Sequence, residues 1–99
     1  MVFNVNSANI AVSAATESGI GAALTAGTSA AAVALTGALP MGADLDSVQF
    51  AAALNAAGAS YVGATGDHVA GRELFAGAQD IAAVTYTATD VINNTALAL

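Results

Sequence analysis

Apolar and small side chains recur every three or four residues along most of the chain, with polar ones between them. That is the period of an α-helix with one face against a neighbour. Ile10, Ser13, Glu17, Ile20, Leu24, Gly27, Ala31, Ala34 and Ala38 form one such line, interrupted by Glu17. Phe50, Leu54, Ala57, Tyr61, Ala64, His68, Gly71, Phe75, Ala78 and Ala82 form a second. A further stripe, Val48, Ala52, Ala59, Val62 and Val69, lies well round the second helix from that line. Two stripes on one helix mean two neighbours. The first helix is one of them; the other has no partner within the chain.

Between the two patterns stands Thr36-Gly37-Ala38-Leu39-Pro40-Met41-Gly42-Ala43-Asp44. Pro40, the single proline, ends a helix at or before Leu39. Gly37 and Gly42 are placed for left-handed or turn conformations. Asp44 is positioned to cap the next helix, with Asp46 in its first turn against the positive helix end. Ser7 or Asn9 is the expected cap of the first helix. The pattern therefore predicts an all-α fold: an antiparallel helical hairpin forming one domain over residues 1–99. Helix 1 is expected at about 8–38, the turn at 39–44 and helix 2 at about 45–92. At the helical rise the arms would be roughly 45 Å and 70 Å long, so the second overhangs the first. Gly58, Gly63, Gly66, Gly71 and Gly77 fall inside the second arm and oppose it. A turn at Gly63-Ala64-Thr65-Gly66-Asp67 would give three helices instead. The seven-residue spacing of Leu54, Tyr61, His68 and Phe75 runs through that segment unbroken and favours one helix.

Composition changes the picture in one respect. The hydrophobic fraction is 57%, and half of it is alanine. Alanine buries little area, so the core is thin. A hairpin of this kind needs a partner to complete it. The net charge is −6 and Arg72 is the only base, which argues against nucleic acid and anionic lipid as partners. No cysteine is present, so disulfides and thiolate metal sites are excluded. Met1-Val2-Phe3-Asn4-Val5-Asn6 lacks a basic region, and no cleaved signal peptide is expected. Ser18 to Ala43 is free of charge and long enough to span a bilayer. Its apolar content is mainly alanine, and the second half carries Asp67, Arg72, Glu73, Asp80 and Asp90. Both facts disfavour insertion.

The chain offers little chemistry. His68 is the only histidine, and Asp67 and Glu73 do not share its helix face. Ser47 and Ser60 stand in no nucleophile motif, and Gly19-Ile20-Gly21 has neither the strand nor the spacing of a dinucleotide site. No enzymatic activity, metal, cofactor or small-molecule substrate is expected. His68 reads as a packed or interface residue, and Arg72 and Glu73 as solvated or paired with a partner. Ile20, Leu24, Phe50, Leu54, Tyr61 and Phe75 are the candidate anchors of a partner interface. Tyr86 and Asp90, four residues apart, share a helix face near the end of the second arm.

Pro40-Met41-Gly42-Ala43-Asp44-Leu45-Asp46-Ser47, followed by Gln49 and Ala51-Ala52, resembles the central turn of the mycobacterial PE family. Tyr86 and Asp90 resemble that family's C-terminal Tyr-x-x-x-Asp/Glu signal, and Ala76-Gly77-Ala78-Gln79-Asp80-Ile81-Ala82 leads into it. Length and layout resemble a short, domain-only member. One departure stands out: Asn6-Ser7-Ala8-Asn9 replaces the Pro-Glu pair near the start. The resemblance implies heterodimerisation with a PPE-family protein in a four-helix bundle. It implies export of the folded pair, without a cleaved signal peptide, through a type VII (ESX) secretion system directed by Tyr86 and Asp90. It places the protein outside the cytoplasm or at the cell envelope, with a chaperone acting through the PPE partner. Two other readings fit the composition. One is a membrane hairpin of pore or proton-channel type with Asp67 as its functional carboxylate. The other is a self-sufficient homodimeric four-helix bundle.

Overall fold

The computed structural model describes residues 4–98. Two helices, α1 (Ser7–Thr36) and α2 (Leu45–Leu97), pack as an antiparallel hairpin, and no strand occurs among the described residues. The fold is the all-α hairpin that the spacing predicts. α2 runs unbroken through Gly63, Gly66 and Gly71. α1 stops two residues short of the expected end, and α2 extends five residues beyond the expected one.

The helix ends have local causes. Asn6 caps α1: its Oδ1 and its main-chain oxygen each accept from the Asn9 amide at 3.1 Å. The cap therefore lies one residue before Ser7 and three before Asn9. Asp44 caps α2, its Oδ1 accepting from the Ser47 amide at 2.9 Å and its Oδ2 from the Ser47 hydroxyl at 2.8 Å. Gly37 and Gly42 do not take left-handed conformations; no described glycine has a positive φ. The end of α1 is closed by a side chain instead. Asn55 of α2 accepts from the Ala38 amide at 2.7 Å and donates to the Ala38 carbonyl at 3.0 Å.

The chain divides into two compact units, each containing a segment of both helices. The terminal unit comprises Met1–Ile20 and Gly71–Leu99, and the loop unit Gly21–Ala70. In the terminal unit the least exposed line runs Ser7, Ile10, Ala14 and Glu17 on α1, and Arg72, Ala76, Gln79 and Ala83 on α2. Only its alanines are fully buried. Polar pairs join the helices. Arg72 Nη1 lies 2.6 Å from Glu17 Oε2. Gln79 Nε2 donates to Ser13 Oγ at 2.9 Å, and Ser18 Oγ donates to Glu73 Oε2 at 3.1 Å. Thr87 Oγ1 lies 3.0 Å from Ser7 Oγ. Arg72 and Glu73, expected to be solvated or held by a partner, are thus engaged within the chain. Their partners, 55 residues away, were out of reach of local spacing.

In the loop unit the packed line is Gly21, Leu24, Thr28, Ala31, Leu35 and Ala38 on α1, with Ala51, Asn55, Gly58, Val62, Thr65 and Val69 on α2. Gly58 is buried where α2 meets the Leu35 main chain. Small residues allow this close approach, and the approach selects them. The line that packs is not the one the sequence singled out. Phe50, Leu54, Ala57, Tyr61, Ala64 and His68 sit one residue earlier and are exposed.

Candidate functional site

Among the described residues every large apolar side chain stays at least partly open to solvent, and the fully buried hydrophobic residues are Ala14, Ala51, Ala76 and Ala83. What the chain presents is therefore an apolar surface. In the loop unit, Phe50 and Leu54 line a groove with Leu39 and Met41, with Ala51 and Ser47 also lining it. Asp46 is the one charged residue there. Leu24 and Tyr61 line a second groove with Ala64, Thr65 and His68. Phe50 is 60% exposed and Tyr61 56%. Leu24 alone among the six candidate anchors is half-buried. The remaining two, Ile20 and Phe75, belong to the terminal unit and are exposed there.

Bulky and small positions alternate on this face of α2: Leu54, Ala57, Tyr61, Ala64, His68. Such alternation forms knobs and holes that a neighbouring helix can fill. Among the described residues no cluster of three or more His, Asp or Glu side chains is placed to hold a metal.

Asp44 sits at the mouth of the loop. Its carboxyl is held below the ordinary range, first by the Ser47 amide and then by the Ser47 hydroxyl. The cap orders the start of α2, three turns before the Leu54 position.

Tyr86 and Asp90 continue the spacing of the packed line: Gln79, Ala83, Tyr86, Asp90. Tyr86 is 37% exposed, the least open of the exposed large apolar residues, whereas the Asp90 side chain stands in solvent. The pair thus combines a ring leaning toward the packed side with an accessible carboxylate.

The model of the PE family matches residues 3–93. The chain belongs to the PE family. No curated protein and no solved structure matches it. Membership brings the general expectation of a secreted or envelope-associated protein that works with a PPE partner. In this PE chain the missing Pro-Glu pair coincides with the first turn of α1, where Asn6 supplies the cap. By length and composition α1 is apolar enough to cross a membrane. It also carries Glu17, paired with Arg72, a charge that hydrocarbon penalises.

Contacts outside the sequence reading include the Asn55 clamp on Ala38, the Glu17–Arg72 pair and the Ser13–Gln79 pair. Glu17 carried a usable signal, since it interrupts an otherwise small and apolar line and so called for a partner.

Proposed function

We propose that this PE protein is a non-enzymatic subunit that pairs with a PPE-family protein and leaves the cytoplasm through a type VII secretion system. The observation that carries the reading is the inversion of the core. The fully buried residues between α1 and α2 are alanine and glycine, while Phe50, Leu54, Tyr61 and Phe75 remain uncovered. The chain exposes 7026 Å². A compact monomer of its mass exposes about 5,000 Å², and a standard interface removes about 800 Å² from each partner. The excess is what a second helical protein would cover.

On this reading Leu24, Phe50, Leu54 and Tyr61 anchor the partner in the loop unit, and Ile20 and Phe75 in the terminal unit. Tyr86 and Asp90 form the export signal, accessible near the end of α2, and a chaperone reaches the pair through the PPE protein. The test is co-expression with PPE-family proteins. Equimolar co-purification, and appearance of both chains in culture filtrate only when an ESX system is intact, are expected. A stable, cooperatively melting homodimer of the isolated chain, or retention in membranes after carbonate washing, would overturn the reading.

A further inference from the structure

The C-terminal part of α2 carries another apolar line, distinct from those facing α1 and the proposed PPE partner. Leu74, Gly77, Ile81, Val84, Ala88 and Val91 alternate at three- and four-residue spacing. All six are exposed, Leu74 at 78% and Ile81 at 70%. On a helix of this spacing Leu74, Gly77 and Ile81 lie away from Arg72, Ala76, Gln79 and Ala83, which face α1, and the line then drifts toward the flank of α1. It also lies about a quarter-turn or more from the Phe75 line. Val84, Ala88 and Val91 further line an open apolar groove with Ala8 and Ala11 of α1. None of these residues is charged. Along one flank run Glu73 and Asp80, seven residues apart.

We propose that this outer face is a second docking site, and that its occupant is an amphipathic helix of another protein with a heptad apolar line flanked by Lys or Arg. Three arguments select that occupant. The repeat sustained from Leu74 to Val91 matches a helix lying alongside in a left-handed crossing, since only a helix returns side chains at that interval. The acidic flank, Asp80 together with Glu73, whose charge the Ser18 hydroxyl leaves unneutralised, calls for basic residues on the partner, as flanking charges do in paired helices. A second copy of this chain is a poor occupant, because it would set Glu73 and Asp80 against like charges. Its only base, Arg72, is engaged by Glu17. An anionic lipid surface is repelled for the same reason. The site does not rest on the pairing proposed above, since its residues are other than the anchors assigned to that partner.

The probe is a synthetic helical peptide with Leu and Ile at its heptad core and Lys at its flanks, beside a control with Glu at those flanks. Binding to the full chain, alone and as co-purified with any helical partner, is read by fluorescence anisotropy. The Lys peptide should bind and the Glu peptide should not. Ile81→Asp combined with Val84→Asp should weaken binding by about tenfold or more, as expected for loss of central apolar anchors. Circular dichroism should show unchanged helix content, since both positions are exposed. Asp80→Lys should shift preference toward the Glu peptide without touching the apolar line. Equal binding of both peptides, or binding indifferent to the Ile81 and Val84 changes, would overturn the proposal. So would self-association, or binding to zwitterionic vesicles, that those same substitutions abolish.

Discussion

A Cβ atom added to Gly58 would overlap the main-chain carbonyl oxygen of Leu35. Backbone oxygen cannot swing aside as a side chain can, so the two helices would have to separate. Gly58→Ala should therefore destabilise the loop unit by about 1–3 kcal/mol, the usual range for overpacking. Gly63 provides the contrast, since nothing lies within 4 Å of its added Cβ. Gly63→Ala should stabilise α2 by roughly 0.5–1 kcal/mol through helix propensity. Urea denaturation of the two variants should move in opposite directions. If both stabilise, the close approach at Leu35 does not exist in solution.

Glu17 and Arg72 are both partly open, with side-chain exposures of 23% and 31%. Solvent screening keeps such a pair near 1 kcal/mol or below. Glu17→Gln should lower the unfolding midpoint modestly in low salt, with the difference from the parent shrinking as salt is added. A difference unaffected by salt would assign the role of Glu17 to packing.

Asp44 gives a pH dependence whose sign follows from its shift. Its carboxyl is lowered below the ordinary value of 3.8 by the Ser47 amide and hydroxyl. In acid the unfolded chain then binds this proton before the folded one. The contribution of Asp44 is present above pH 3.8 and is lost as pH falls through the lower folded value. The stability difference between the parent and Asp44→Asn should be constant at neutral pH and vanish in strong acid. Amide exchange at Asp46 and Ser47 reads the same cap locally.

Leu54 and Phe75 test the pairing surface. Each is exposed in the hairpin, so a charge there leaves helix content intact. In a covered interface, the same charge should abolish co-purification with the PPE partner. Full recovery of the complex with both Leu54→Asp and Phe75→Asp would place these residues on a free surface.

The tail separates export from assembly. Asp90→Ala should reduce the ratio of secreted to cellular protein while leaving partner binding and helicity nearly unchanged, because its side chain stands in solvent. Tyr86→Ala should have the same export defect with a slightly lower melting temperature, since its ring is less open. Undiminished secretion of both variants would exclude the pair as a signal.

The hairpin, the proline-bounded turn and the unbroken α2 were legible because helical spacing survives without large residues. Which line packs was not. Bulk drew attention to Phe50, Leu54 and Tyr61, whereas the buried positions are Ala51 and Gly58, one residue further on. In a chain whose strong apolar residues serve an outside surface, size marks the surface and smallness marks the core. On α1 the predicted line alternated between correct positions, Ile10, Glu17, Leu24, Ala31 and Ala38, and neighbours one residue early. The Asn6 cap was missed because Asn6, Ser7 and Asn9 are all good capping residues. The Ser13–Gln79 bond joins residues 66 apart, beyond any local rule. The outer line through Ile81 and Val84 was present in the sequence and went unread, since the Phe75 line accounted for the nearby apolar residues.

The fully buried positions between the helices are all small, and small side chains cover little area, so hydrophobic burial discriminates only weakly between alignments. The discrimination falls to a few unlike positions. In the terminal unit a slip parts Glu17 from Arg72 and Ser13 from Gln79, whose Oε1 is already buried without a donor. In the loop unit it drives a side chain into the space reserved at Gly58 and strips Asn55 from Ala38. These contacts add little to overall stability, yet they encode which of several near-equivalent hairpins forms, and therefore which side chains any partner meets.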